Sequence, residues 1–378
     1  MRSSVKVGLV TCWYRNASME NYSRNLKTML ERLRIKVVVI SSHCICRSRF
    51  PTNIDPSSDC RFASFPYIYE VMGSNFFALL ARFFLLLLRG VNYLSKGLEC
   101  DVIHYQQSNY YSFGIVPLLP FLLAPIGQKI VVTIHNFDKM QQKCRFLNWV
   151  YRRAHCVIVH SRDMKQKAAR LGIPRERLVV LFHGATATPS VRSRPRTEIT
   201  FLGAPERRKG FFVLIKALSL LKKRKKSPVV HVYGIYNKKE KDRAKREAQK
   251  LGVEEFIVWG GRLSEEEFDQ KLQGSLFTIA PFVASVSGSS VVTRAMAHGT
   301  PTISTAVGGV PEYLDAAGVI VPPNNVQLLA DAIVSLASNE RLREELGNKA
   351  RKRAAKLFSW NRISRETLKI YRDVLDEK

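Results

Sequence analysis

Cysteine is missing from the second half of this 378-residue chain: all seven, Cys12, Cys44, Cys46, Cys60, Cys100, Cys144 and Cys156, fall in the first half. The number is odd, and no signal-peptide pattern precedes the strand-like run 5–10. A reduced, cytoplasmic protein is therefore expected, without a disulfide framework. His43-Cys44-Ile45-Cys46 with Cys60 matches no common zinc spacing. Acidic residues are also scarce, 31 against 60 Lys and Arg, and the formal charge is +29. That excludes an acidic disordered chain and points to anionic partners: phosphates, nucleic acid or a membrane surface. Long apolar runs are absent as well. Residues 76–88 are cut by Arg82 and bounded by Arg89, and 113–126 by Pro117, Pro120 and Pro125, so neither reads as a bilayer span.

What is present is alternation. Short β-branched runs at 5–10, 36–40, 102–105, 129–134 and 156–159 are separated by segments of helical period, including 21–33, 75–96, 146–153 and 162–171. Strands that are apolar throughout, alternating with helices, predict a doubly wound parallel α/β sheet covered on both faces. A polar stretch at 185–197 with Pro189 and Pro195 reads as a linker. The pattern then restarts, with strands at 199–202, 229–233, 256–258, 276–279, 302–304 and 318–321. Two Rossmann-like domains follow, 1–187 and 198–357, with ligands expected at the carboxyl ends of the strands and in a cleft between domains.

Three segments carry chemistry. Phe201-Leu202-Gly203 runs through Arg207, Arg208 and Lys209 to Gly210 and a helix. A glycine turn at a helix N-terminus, ringed by cations, suits a phosphate, although a solvated basic loop has the same composition. Ser287-Gly288-Ser289-Ser290 ends a strand–loop and starts a second helix. Its amides and hydroxyls suit sugar hydroxyls or phosphate oxygens, or serve simply as a helix cap. Val307-Gly308-Gly309-Val310-Pro311-Glu312 is a glycine turn followed by an acid.

In this order, with Cys156-Val157-Ile158-Val159-His160-Ser161, Leu181-Phe182-His183-Gly184, Val232-Tyr233-Gly234, Gly260-Gly261-Arg262-Leu263, Ala295-Met296-Ala297-His298-Gly299-Thr300-Pro301 and Phe358-Ser359-Trp360, the segments resemble GT-B-fold glycosyltransferases, most closely family 4. The resemblance covers nearly the whole chain. It implies two Rossmann-like domains facing a cleft, with a C-terminal helix crossing back so that 358–378 completes the N-terminal one. It also implies retaining transfer of a hexose from a nucleotide-diphosphate sugar, UDP or GDP, as co-substrate, with no metal or other cofactor. Lys209 matches the lysine that neutralises the donor diphosphate, with Arg207 or Arg208 as companion beside Gly203. Gly234, Arg262 and Leu263 match the nucleobase region; Ser287, Gly288, Ser289 and Ser290 are candidates to replace, through backbone and hydroxyl groups, part of the contact that a family glutamate makes with the donor hexose. His135 matches a histidine facing the reacting carbon; a capping or core histidine is the other reading of that position.

The chain departs from the family at two acids. Val286 and Arg294 stand where the family carries glutamates eight positions apart, and an arginine accepts no hydrogen bond from a ribose. Arg294 meeting a phosphate is the alternative. The first loop, Trp13 to Met19, is bulkier than in relatives, making Asn16 and Tyr22 acceptor-side candidates.

Polar residues recur every seven along an otherwise apolar segment, at Asn75, Arg82, Arg89 and Lys96. A heptad step turns a helix by only about 20° from its starting face, so they form one narrow stripe. Residues 143–177 hold ten basic and two acidic side chains with aromatics between them. Arg82, Arg89, Trp149, Arg152 and Arg153 are the expected membrane contacts; a core helix beside a solvated basic run is the alternative. The basic run 222–226 suits a helix C-terminus, and no nucleic-acid recognition module accompanies it. The expectation is a cytoplasmic hexosyltransferase, peripheral on the inner face of the cell membrane, acting on a lipid-linked or membrane-associated acceptor. Its rival is a non-catalytic GT-B subunit that binds a sugar nucleotide or a partner enzyme.

Overall fold

The computed structural model describes residues 5–11, 17–41, 97–107, 128–135, 145–186, 196–226, 228–234, 238–284, 286 and 288–377. Asn16, Arg82, Arg89 and Ser287 lie outside the described residues, as do the heptad segment and the cluster from His43 to Cys60. The chain divides into two compact units, one of Met1–Val159, Lys165–Val180 and Ser364–Lys378, the other of His160–Met164 and Leu181–Ile363.

The first unit carries β1 (Lys6–Thr11), α1 (Ala17–Arg32), β2 (Lys36–Ser41), β3 (Val102–Gln107), β4 (Lys129–Ile134), α2 (Arg145–Arg153), β5 (Cys156–Val159), α3 (Arg162–Arg170, its first three residues counted with the second unit) and β6 (Leu178–Val180). All six strands are parallel, in the order β2-β1-β3-β4-β5-β6. Val7, Leu9, Val131, Ile134 and Val157 are completely buried, as unbroken apolar strands covered on both faces must be. On α1, Tyr22, Leu26 and Leu30 recur at the four-residue step that keeps one helix face on the sheet. Strand β6 is absent from the sequence expectation. It is three residues long and follows the charged Arg175–Arg177 turn, leaving too short a run for alternation to show.

The second unit contains β7 (Glu198–Leu202), α4 (Phe211–Lys223), β8 (Val230–Tyr233), α5 (Lys238–Lys250), β9 (Ile257–Gly261), α6 (Glu265–Gly274), β10 (Ser275–Ala280), α7 (Ser290–Ala297), β11 (Thr302–Thr305), α8 (Val310–Leu314), β12 (Val319–Val321), α9 (Val326–Ser338) and α10 (Glu340–Leu357). The chain ends in α11 (Trp360–Asp376). The second sheet is also wholly parallel, in the order β12-β11-β10-β7-β8-β9. Helix α4 buries Phe211, Leu214, Ile215, Leu218 and Leu221, spacings of three and four that place one stripe in the core with Phe201, Val232, Ile279 and Ile333.

Strand order reverses between β7 and β10, the first and fourth strands of this unit. In doubly wound sheets the loops leaving such a pair splay apart, so ligands bind at their carboxyl ends. The glycine turn after Leu202 and the loop after Ala280 leave these two strands.

Candidate active site

At that switch point, in the second unit, the two loops are pressed together. Gly210 has φ 77°, and a Cβ there would sit 1.7 Å from the Pro281 carbonyl oxygen, so only glycine fits. The Val283 N–H donates to the Arg208 carbonyl at 3.1 Å, a second tie between the loops. Gly203 and Gly234 also meet closely: a Cβ on Gly234 would fall 2.6 Å from the Gly203 carbonyl carbon. Two adjoining turns without side chains leave backbone exposed for close approach of a ligand.

The stem of Lys209 lies over Gly203, and its Nζ is 5.1 Å from the centroid of the Phe282 ring. Burial, with the Arg208 charge adding to it, brings the Lys209 ammonium down to about 8. A cation held in such a place gains most from a ligand that brings negative charge. Arg207 and Arg208 are exposed, and Arg208 Nε pairs with Glu206 at 2.7 Å. Arg262 is exposed and Leu263 half-buried beyond β9, where Gly261 has φ 79° and its carbonyl accepts the Gly234 N–H at 2.8 Å.

The serine loop is a helix cap in its observed geometry: Ser289 Oγ accepts the Val292 N–H of α7 at 3.4 Å. Ser290 opens the helix. Gly288 lies against Tyr313, whose hydroxyl would be 2.7 Å from a Cβ added there. That hydroxyl donates to the His160 carbonyl at 2.8 Å and accepts the His183 N–H at 3.0 Å. Glu312, the acid after the third glycine turn, accepts the N–H groups of Arg162 and Asp163 at 2.8 and 3.0 Å, a contact inside the second unit. Burial holds the His160 and His183 rings neutral, at about 3 and about 4.

Arg294 faces protein carboxylates, a difference from the phosphate contact considered for it. Its Nε and Nη2 donate to Asp269 Oδ1 and its Nη1 to Glu265 Oε2, while its guanidinium stacks 4.1 Å above Phe268. Helix α6 begins with three glutamates behind a Ser264–Glu267 capping box, so it presents negative charge to whatever α7 carries opposite.

In the first unit, His135 follows β4 and is buried, with its Nε2 donating to Gln106 Oε1 at 2.8 Å and its ring edge-on to Tyr22 at 4.7 Å. Tyr22, an acceptor-side candidate, is only 1% exposed, so its hydroxyl lies beneath the unit's surface. Trp149 is half-buried under the Arg153 guanidinium, 4.3 Å from its ring centroid; Arg152 and Arg153 are exposed. Sequence reasoning missed Gln106, His104, Tyr313, Phe282 and Asp269. The first two carried a signal: polar residues two apart within apolar strands, His104 and Gln106 on β3, as with Thr133 and His135 along β4.

Residues 19–188 match the Glycosyltransferase Family 4 model and residues 189–353 that of Glycosyl transferases group 1, so the two run on without a gap. The chain belongs to the GT-B-fold glycosyltransferases of the family 4 type. This family 4-like chain is 27% identical over 180 residues to an uncharacterized glycosyltransferase of Methanocaldococcus jannaschii, covering 47% of the chain and 45% of that protein. It is 26% identical to O-antigen chain mannosyltransferase C of Escherichia coli, over 74% of the chain and 77% of the relative. The chain thus spans under half the length of the first of these relatives and about three quarters of the second. Among solved structures, a Rickettsia africae glycosyltransferase superposes with a TM-score of 0.72 at 19% identity over all of both chains. Anabaena HepE, solved with UDP, gives 0.68 at 15% identity over 98% of this chain and 100% of its own. The two-unit α/β architecture is the fold these structures share.

Proposed function

We propose that the chain transfers a hexosyl group from a nucleotide-diphosphate sugar to a lipid-linked or membrane-associated acceptor, with retention of configuration and without a metal. One observation carries the donor assignment: the half-desolvated Lys209 ammonium beside the bare glycine turns at the switch point, where a diphosphate relieves the cost of burying its charge. That the Anabaena neighbour was solved with UDP supports a nucleotide as the ligand. The bond from the sugar's anomeric carbon to the diphosphate oxygen breaks, and a bond to the acceptor oxygen forms on the same face. The departing nucleoside diphosphate takes the acceptor proton, so no protein nucleophile is required. His135 faces the reacting carbon in this reading, and Lys209 holds the charge that develops on the leaving group. The exposed Arg152 and Arg153 beside Trp149 support an anionic membrane surface as the place where the acceptor is met, on the cytoplasmic side.

Nucleotide release from a panel of UDP- and GDP-sugars, with and without a lipid extract, tests this. Release that needs one donor and the extract is expected. A second reading, a non-catalytic sugar-nucleotide-binding subunit, is favoured by Arg294, which is tied to Asp269 and Glu265 where relatives carry an acid. Nucleotide binding without release from any donor selects that reading.

A further inference from the structure

Strands β3 and β4 bring four polar side chains to one face of an otherwise apolar sheet. Gln106 is paired in register with Thr133, and His104 lies two residues before Gln106, as Thr133 does before His135. His104, Gln106 and Thr133 are fully buried. Their hydrogen bonds form a line: His135 Nε2 to Gln106 Oε1 at 2.8 Å, Gln106 Nε2 to His104 Nε2 at 3.1 Å, and His104 Nδ1 to the Tyr371 hydroxyl at 2.6 Å. The Thr133 hydroxyl lies 2.7 Å from His104 Nε2. Tyr371 belongs to the C-terminal stretch of the same unit and is itself fully buried.

We propose that Gln106 is a positioning residue for His135, fixing the ring with its proton on Nε2 and its acceptor nitrogen as Nδ1, and that His104 and Tyr371 fix Gln106 in turn. This rests on the reading of His135 given above.

A neutral imidazole has one donor and one acceptor nitrogen, and the partner of one sets the role of the other. The amide oxygen of Gln106 only accepts, so His135 Nε2 carries the hydrogen. Accepting there turns the Gln106 amide N–H groups toward His104, whose Nε2 must offer a lone pair. His104 Nδ1 is then protonated and donates to Tyr371. Burial keeps His104 neutral, with its pKa down at about 3, so no second protonation state scrambles the line. Flipping the amide would reverse every donor along it, so the tautomers of His135 and His104 and the role of the Tyr371 hydroxyl, which can donate or accept, are coupled along one line.

Nitrogen NMR of histidine-labelled protein reads the tautomers directly, with His135→Asn used to assign the signals. Wild type is expected to show His135 as the Nε2–H form alone. Gln106→Leu should admit the Nδ1–H form, and Gln106→Glu, which keeps an acceptor, should restore Nε2–H. In turnover, Gln106→Leu should lower kcat about tenfold or more, the scale of a misplaced acid–base or polar group, with donor KM within about twofold. If Gln106→Leu does not fold, Tyr371→Phe keeps the volume and should mix the tautomers of His104 and, through Gln106, of His135. A wild-type Nδ1–H ring at His135, or a single unchanged tautomer in the folded variants, overturns the inference. Failure of the transferase reading shows separately, as wild type that neither binds nor turns over a sugar nucleotide, and leaves the tautomer result standing on its own.

Discussion

Arg294 donates two hydrogen bonds to one oxygen of Asp269, from Nε at 2.9 Å and from Nη2 at 2.7 Å. The same Asp269 oxygen lies 2.9 Å from His298 Nε2, so one carboxylate of α6 ties down the last turn of α7 and its C-cap. Arg294 is therefore a strut between two helices. Arg294→Gln should lower stability by about 1–2 kcal/mol, the scale of charge-assisted hydrogen bonds discounted for partial exposure, and leave nucleotide affinity unchanged. Urea unfolding and nucleotide titration of the same variant check both halves. A large loss of affinity with stability intact would return the residue to the donor.

Burial raises the Asp269 carboxyl, but its bonds to His298 and Arg294 outweigh that and leave it below the usual range. A depressed carboxylate stabilises the fold above its unfolded pKa, and the contribution is lost as pH falls through the folded value. The stability difference between wild type and Asp269→Asn should be constant near neutral pH and shrink below about pH 4, where the unfolded carboxylate protonates. Denaturant unfolding across that range measures it.

The diphosphate role proposed for Lys209 predicts a pH signature for nucleotide binding. The free lysine titrates at about 8, and a diphosphate favours its charged form, so binding takes up a proton above that pH. Affinity should fall as pH rises past 8, with a limiting slope of about tenfold per unit. Lys209→Met should bind more weakly and lose the slope. Calorimetric titration of UDP and GDP against both proteins between pH 7 and about 9.5, within reach of the lysine, tests this.

Gly210→Ala places a methyl 1.7 Å from the Pro281 oxygen at φ 77°. The loops after β7 and β10 must then part, at a cost of about 3 kcal/mol or more. The expected outcome is a lower unfolding midpoint together with weakened nucleotide binding. Gly274→Ala, with nothing within 4 Å of the added methyl, is the control that should do neither.

Arg152→Glu with Arg153→Glu should cut binding to anionic vesicles at least about tenfold, since each basic residue near such a surface is worth about 1 kcal/mol. Cosedimentation with phosphatidylserine vesicles at two salt concentrations reads it. Equal binding before and after would assign this face to solvent.

The sequence by itself determined the architecture. Unbroken β-branched strands alternating with amphipathic helices can be covered only by helices on both faces of a parallel sheet, and the pattern restarts once, after 185–197. It also marked Lys209 and the glycines around it, because a turn with φ 77° and a backbone pressed against a carbonyl admits no other residue at Gly210. Tertiary structure decided what lies far apart in sequence. Arg294 reads as a lost acid until α6 places Asp269 and Glu265 opposite it. Tyr371 reads as one core aromatic among several until the fold sets its hydroxyl on His104, 267 positions away. Residue type and local period report a backbone's shape. Which lone pair a buried side chain meets depends on a partner from another element, and no local pattern encodes that.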